Sequence, residues 1–236
     1  MESSLKVGIM QPYFLPYIGY YQLIAGVDVF VIYDNIKYTK KGWINRNRFL
    51  QNGKDEIFSI PLKKDSDSLN IDKRELANEF NRIKLMNQFR GAYGSAPFFI
   101  QINKLVERII FYEESNLFGF LHNSLIEVCQ YLRIDTKILV SSDIEIDSSL
   151  KSQAKVLAIC TNLGADAYIN PIGGVDLYSK SKFKSNGIDL RFIRCKPFEY
   201  KQFGDDFLPW LSIVDVLMFN SIETIRSCIY NNYELV

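Results

Sequence analysis

The run at residues 27–33, VDVFVIY, limits the fold more than any other stretch of this chain. It consists almost entirely of β-branched and aromatic residues, which is typical of a central parallel strand covered by helices on both sides. Other strand-like runs occur at residues 6–10, 137–141, 166–170 and 188–195, and segments with helical spacing separate them. This alternation predicts an α/β fold with a doubly wound, mostly parallel sheet and right-handed crossovers.

A long segment separates the second predicted strand from the third. Residues 97–111 and 116–132 carry apolar side chains at helical spacing. We therefore predict a largely helical insertion over roughly residues 50–125, within a single α/β domain that covers residues 1–236. A further apolar helix is expected over residues 207–219, and Ser148 or Ser149 is expected to cap the helix that precedes the fourth strand.

The charge balance gives no support for two classes of partner. The chain has 28 basic and 27 acidic residues and a formal net charge of +1, so it offers no electrostatic basis for binding nucleic acid or a membrane surface.

Its four cysteines do not have metal-site spacing and indicate buried thiols in a reducing compartment. No apolar run approaches the roughly 18 residues of a membrane span. We predict a cytoplasmic protein and leave open whether it forms a homo-oligomer.

His122 is the only histidine, which excludes mechanisms that need two histidines, including most zinc sites. We expect no metal and no cofactor.

Polar residues follow each predicted strand. Ligands of open parallel sheets bind beyond the carboxyl ends of the strands, so these residues are candidates for a site. They form a set of acids, amides, small residues and bases that suits a sugar or a nucleotide: Gln11 and Tyr13 after the first strand, Asp34 and Asn35 after the second, Ser141, Ser142 and Asp143 after the third, Asn170, Gly173, Gly174 and Asp176 after the fourth, and Arg194 and Lys196 after the fifth.

The segment Tyr17-Ile18-Gly19-Tyr20 starts the first predicted helix. It resembles the His-x-Gly-His run that nucleotidyltransferases and class I aminoacyl-tRNA synthetases carry at this place, with both histidines replaced by tyrosine. Glycine at a helix N-terminus can hold a phosphate, whereas neutral tyrosines stabilise a transferring phosphate less well than histidines do. The resemblance therefore favours this fold and nucleotide binding over adenylyl transfer. The alternative is that Gly19 serves only close packing between strand and helix.

Residues 40–48, with the sequence KKGWINRNR, form a basic and aromatic loop. Arg46 and Arg48 can bind a phosphate or carboxylate in a bidentate manner. Trp43 offers a flat face to a sugar or base, and the amide of Asn45 matches sugar hydroxyls. The alternative is an ordinary solvated loop.

Together these residues resemble the WbqC-like protein family. The resemblance rests on residues 11–20 (QPYFLPYIGY), Asp34, residues 42–48, and on Asn170-Pro171, Gly173-Gly174, Leu177-Tyr178 and residues 211–215 (LSIVD). It implies a role in O-antigen or other surface-polysaccharide synthesis and an enzyme that acts on a nucleotide-linked sugar.

Three functions follow as hypotheses. The first is a transferase that attaches an acyl or aminoacyl group to a nucleotide-linked amino sugar, with Asp34 or Asp176 as general base. Its substrate-binding residues would be Gln11, Tyr13, Tyr17, Gly19, Tyr20, Trp43, Asn45, Arg46, Arg48, Asn170, Gly173, Gly174 and Tyr178. The second is a non-catalytic nucleotide-sugar binding protein. The third is an ATP-dependent, acid-activating enzyme that resembles nucleotidyltransferases.

Overall fold

Six strands form the main sheet of the computed structural model, which describes residues 4–236. The strands of the chain are β1 (Lys6–Met10), β2 (Val29–Ile32), β3 (Arg46–Gln51), β4 (Lys54–Ser59), β5 (Lys137–Val140), β6 (Ala167–Pro171), β7 (Asp189–Cys195) and β8 (Tyr233–Leu235). The main sheet has the order β5-β2-β1-β6-β7-β8, and β3 and β4 form a separate hairpin. All pairs in the main sheet are parallel except β7 with β8.

Eight helices connect the strands within the described residues. They are α1 (Ile18–Ala25), α2 (Arg82–Tyr93), α3 (Phe99–Ile110), α4 (Leu117–Tyr131), α5 (Ser152–Asn162), α6 (Lys180–Lys184), α7 (Ile213–Phe219) and α8 (Ile222–Asn231). None of these helices is long and apolar enough to cross a membrane.

The order of strands reverses beside β1. After β1 the chain moves outward to β2 and β5 on one side, and β6, β7 and β8 then follow on the other side. In doubly wound folds the connections on either side of such a reversal diverge and leave a crevice at the carboxyl ends of the strands. The loops after β1 and β6 border this crevice.

Side chains of the strands alternate between two apolar cores. Val7 and Val31 pack on one face of the sheet with Phe183 of α6, in a cluster that also contains the buried apolar residues of α5. Phe30 and Ile32 pack on the opposite face, in a larger cluster that contains residues of α1, α4, α7 and α8. The predicted α/β architecture with a mostly parallel sheet is therefore confirmed, and helices cover both of its faces.

The segment between β2 and β5 begins with the β3–β4 hairpin and continues through α2, α3 and α4. Asn52 and Gly53 close the hairpin with φ angles of 51° and 73°, as the central residues of a type I′ turn require. The segment thus contains a β-hairpin as well as the expected helices. The description of residues 50–125 as an insertion in one domain stays a prediction, and residues 1–3 of that domain lie outside the described residues.

Two helix predictions were wrong in their boundaries. Residues 207–212 are not helical, because Pro209 cannot continue a helix and Trp210 has a φ of 62°. The helix starts only at Ile213, after Ser212, whose hydroxyl accepts a hydrogen bond from the amide of Val214. Neither predicted serine caps α5, which follows Lys151 and has no side-chain cap.

Candidate functional site

The loop between β1 and α1 is held in a strained conformation. Leu15 has a φ of 46°, which is unfavourable for a branched side chain, and it is completely buried. Its carbonyl accepts hydrogen bonds from the amide of Asn47 at 2.7 Å and from the hydroxyl of Ser212 at 2.8 Å. Strain of this kind persists where the surroundings over-determine the backbone, and it is frequent at functional sites. Here β3 and the segment before α7 together fix the loop.

A cavity of about 200 Å³, the small cavity, opens beside this loop. It lies between the β1–α1 loop, the basic loop and the segment before α7, so three connections at the carboxyl side of the sheet contribute to it. Its lining consists of aromatic, amide and guanidinium groups from Tyr13, Pro16, Tyr17, Trp43, Asn47, Arg48 and Trp210.

Two arginines stack on Trp43, but they differ in what else they bind. The guanidinium carbons of Arg46 and Arg48 lie 5.5 and 5.6 Å from the Trp43 ring centroid. Arg46 donates to the carbonyls of Gly42 at 2.9 Å and Lys41 at 2.6 Å, so it closes its own loop. The sequence analysis assigned both Arg46 and Asn45 to substrate binding.

Asn45 ties the loop to its surroundings. Its Oδ1 accepts a hydrogen bond from the Tyr38 hydroxyl at 2.8 Å, and its Nδ2 donates to the carbonyl of Ile60 at 2.7 Å. Both polar ends of this side chain are therefore engaged within the protein.

Arg48 is the guanidinium that lines the small cavity. Its Nη1 pairs with Asp55 at 3.0 Å and its Nη2 donates to the carbonyl of Trp210 at 3.3 Å. Its buried Nε has no hydrogen-bond acceptor within the described residues. Donors that are only partly satisfied favour an anionic ligand here.

A second cavity of about 510 Å³, the large cavity, lies beyond the carboxyl end of β7. Most of its lining is aromatic or aliphatic: Tyr17, Ile18, Cys195, Lys196, Pro197, Phe198, Glu199, Tyr200, Phe207, Pro209, Trp210, Leu211 and Val216. Tyr17 and Trp210 belong to both cavities, and their rings meet edge to face at 5.8 Å. The side chain of Trp210 is 61% exposed, and its backbone has an unfavourable positive φ of 62°. The two cavities are therefore neighbours with a common aromatic wall.

A buried carboxylate supports this wall. Asp215 is 0% exposed and accepts hydrogen bonds from the hydroxyls of Tyr200 at 2.6 Å and Tyr93 at 2.9 Å, and from Gln202 Nε2 at 2.7 Å. Burial raises the pKa of Asp215, and the three donors oppose that rise. The Tyr93 hydroxyl also accepts from the amide of Leu50, so the network joins β3, α2 and α7 behind the large cavity.

Asp34 lies in a different polar cluster, where β2, β5 and α5 meet. It is 2% exposed, and its Oδ1 accepts from the hydroxyl of Ser141 at 2.7 Å and the amide of Ser142 at 3.0 Å. Lys155 Nζ donates to Asn35 Oδ1 at 2.7 Å. Burial lowers the pKa of Lys155, and the nearby carboxylate of Asp34 partly offsets this. Asp34 thus holds the ends of two strands together, and its role as general base stays a prediction.

Asn170 organises the loop after β6. It is buried, its Oδ1 accepts from the Tyr168 hydroxyl at 2.9 Å, and the Tyr168 ring packs 5.5 Å from that of Tyr178. A Cβ at position 174 would overlap the Asn170 amide, which explains the glycine there. Gly173 and Asp176 are exposed in the same turn.

The residues at the start of α1 are closely packed. The Tyr20 hydroxyl donates to the carbonyl of Gln11 at 2.8 Å. A Cβ at position 19 would overlap the Tyr17 ring and the Cys195 thiol, so the glycine is needed for this contact. This is the packing alternative for Gly19, and phosphate binding at Gly19 stays a prediction.

The structure therefore brings together four of the residues that the sequence proposed for substrate: Tyr13, Tyr17, Trp43 and Arg48 line the small cavity. Sequence reasoning missed Trp210, Asn47 and Tyr200. The Pro209-Trp210 pair carried a usable signal, because a proline within an apparent helix indicates a loop. Among residues 4–236, no three His, Cys, Asp or Glu side chains are grouped so that they could hold a metal ion.

Comparison with known proteins identifies relatives of this chain. The model of the WbqC-like protein family matches residues 11–227. The chain is also similar to the uncharacterized protein Rv1507c of Mycobacterium tuberculosis (strain ATCC 25618 / H37Rv), with 29% identity over 224 residues that cover 91% of this chain and 93% of the relative.

Proposed function

Because the chain belongs to the WbqC-like protein family, we propose that it is a cytoplasmic transferase that acts on a nucleotide-linked amino sugar in the synthesis of O-antigen or another surface polysaccharide. The observation that carries this proposal is the small cavity, where Trp43, Trp210 and Arg48 face one space. Aromatic faces suit a sugar or base, and a partly satisfied guanidinium suits a phosphate.

The strand order supports nucleotide binding as well. Sheets with this reversal bind nucleotides in the crevice at the carboxyl ends of the strands, and the order is compatible with the nucleotidyltransferase-like fold that we propose. The β1–α1 loop, with Gln11 and Tyr13, and the β6 loop, with Gly173, Gly174 and Tyr178, are the segments that would contact the rest of the substrate.

The proposed step is acyl or aminoacyl transfer from an activated donor such as a thioester. The sugar amine attacks the carbonyl carbon, a C–N bond forms, and the C–S bond breaks. The proton of the amine passes to a carboxylate, and the leaving thiolate takes up a proton. Of the two proposed bases we favour Asp176, because it is exposed to solvent and substrate whereas Asp34 is buried.

A second function, nucleotide-sugar binding without catalysis, is favoured by the burial of Asp34 and the engagement of its Oδ1 by Ser141. Turnover separates the two functions. If Asp34→Asn and Asp176→Asn both bind and convert the substrate as the wild type does, neither acid is the base.

A thermal-shift panel of nucleotides, nucleotide sugars and ATP tests the proposal. At about 100 times its dissociation constant a ligand adds about 2.7 kcal/mol, which for a chain of this length raises Tm by about 5 to 11 °C. We expect a nucleotide-linked amino sugar to produce this shift. A shift with ATP alone, together with ATP–pyrophosphate exchange, would instead indicate an acid-activating enzyme.

Arg48→Gln should weaken binding of the nucleotide sugar about tenfold to hundredfold, as expected for a lost charge-assisted hydrogen bond. Arg108→Gln is the matched control, because Arg108 also pairs with a carboxylate, that of Glu127 at 2.9 Å, but lies on α3 outside both cavities. Equal affinity of the two variants would contradict the role of Arg48.

A further inference from the structure

We infer that the large cavity binds the acyl group of the donor substrate, as an apolar compartment beside the small cavity. This inference rests on the proposed function, because it assigns the second substrate of the same reaction. The large cavity has a volume of about 510 Å³, which falls within the range of small-molecule sites.

The chemistry of the walls selects an apolar group. The two tyrosines of the lining present their rings, because their hydroxyls are engaged: that of Tyr200 donates to Asp215 at 2.6 Å, and that of Tyr17 lies 3.8 Å from Cys195 Sγ. Phe198, Phe207 and the other apolar residues add only ring and aliphatic surface. The charged side chains of the lining, Lys196 and Glu199, are both exposed. A nucleobase needs in-plane hydrogen-bond partners that the other side chains do not offer, whereas an acyl chain needs none.

Neighbouring positions of the two cavities suit a transfer reaction. Tyr17 and Trp210 line both, so a sugar in the small cavity and an acyl group in the large cavity would contact the same aromatic pair and lie next to each other. Lys196 is exposed at the rim of the large cavity, at the point where an anionic part of the donor would extend out of the cavity. Bringing two reactants into adjacent positions is itself a large part of catalysis for a bimolecular step.

Cys195 supplies a reporter that needs no substitution. It is half-buried in the wall of the large cavity, whereas Cys129, Cys160 and Cys228 are buried elsewhere. Burial raises the pKa of Cys195, so its alkylation by iodoacetamide is best followed at mildly alkaline pH. Mass spectrometry of the digested protein reports the modification of each cysteine separately.

The experiment measures the alkylation rate of Cys195 in the full chain with octanoate as probe. At about ten times its dissociation constant octanoate should slow the reaction about tenfold, because about a tenth of the protein remains unbound. Adenosine at equal concentration should not protect the thiol. Absence of protection by octanoate, or stronger protection by adenosine, would overturn the assignment.

Three variants locate the probe. Phe207→Asp should weaken octanoate binding at least about tenfold, because it places a charge against the apolar chain. Ile100→Asp, which introduces the same charge in place of an exposed apolar side chain on α3, should leave octanoate binding unaltered. Trp43→Ala, in the small cavity only, should retain octanoate protection. Equal protection in the Phe207 and Ile100 variants would contradict the inference.

Failure of the proposed function gives a different result. If no nucleotide sugar binds but octanoate protects Cys195 in a manner that depends on Phe207, the transferase proposal fails and the apolar cavity stands. If nucleotide sugars bind through Arg48 and octanoate never protects Cys195, the cavity assignment fails alone.

Discussion

Replacement of Asp215 by alanine should destabilise the protein severely. The carboxylate is completely buried and accepts hydrogen bonds from Tyr93, Tyr200 and Gln202. Gln202 Nε2 retains an acceptor in the variant, since it also donates to the carbonyl of Leu208 at 3.1 Å. The two tyrosine hydroxyls lose theirs, and a buried donor without an acceptor costs about 1 to 3 kcal/mol. We therefore expect a loss of about 2 to 6 kcal/mol in the free energy of unfolding, or about 4 to 24 °C in Tm.

A double-mutant cycle isolates one bond of this network. Tyr200→Phe, Asp215→Ala and the double variant are compared with the wild type by urea denaturation. The hydroxyl of Tyr200 donates to a carboxylate at 2.6 Å, so we expect a coupling energy of about 1.5 to 3 kcal/mol. Asp205→Ala, at an exposed position, is the control and should change the free energy of unfolding by less than about 0.5 kcal/mol.

The refuting result is specific. If Asp215→Ala costs no more than Asp205→Ala, or if the coupling energy with Tyr200 is below about 0.5 kcal/mol, the network does not support the wall of the large cavity. In a Tyr200→Phe variant we still expect octanoate to protect Cys195 from alkylation, because only the ring of residue 200 faces the ligand.

Two other perturbations test the loop after β6 and the single histidine. Gly174→Ala should lower the free energy of unfolding by about 1 to 3 kcal/mol, because the new Cβ displaces the Asn170 amide. Gly173→Ala has open space around its Cβ and should leave the melting temperature unchanged. Equal melting temperatures of the two variants would contradict this reasoning. Burial lowers the pKa of His122 below its ordinary value of 6.5, so the folded protein binds this proton less readily than the unfolded chain. Stability should then fall as pH drops below 6.5, NMR titration should show the lowered pKa, and His122→Gln should remove this part of the pH dependence.

The sheet could be predicted because its signals are local. Each parallel strand is a short apolar run buried on two faces, and the runs at residues 6–10 and 27–33 contain β1 and β2. Asn52-Gly53 was a comparable local signal for the hairpin turn. Strand β8 could not be read in this way, since three residues at the chain end become a strand only by pairing with the edge of β7.

The site was predictable only in part, because spatial neighbours in it are distant in the chain. Tyr13 and Trp43 were selected as residues after a strand and within a basic loop, which are sequence properties. Asn47 was overlooked because its importance lies in a bond from its amide to the carbonyl of Leu15, 32 residues earlier. Trp210 joins the same cavities through tertiary contacts that no periodicity reveals.

The β3–β4 hairpin links the fold to the proposed chemistry. Consecutive residues of β3 have different roles. The amide of Asn47 donates to the carbonyl of Leu15 and so fixes the strained β1–α1 loop, whereas Arg48 lines the small cavity and donates to the carbonyl of Trp210. Side chains on a strand alternate between its two faces, so one strand can hold a loop and present a ligand group at the same time. Substitutions in the hairpin should therefore alter ligand affinity through the positions of Leu15 and Trp210, while the six-stranded sheet remains intact.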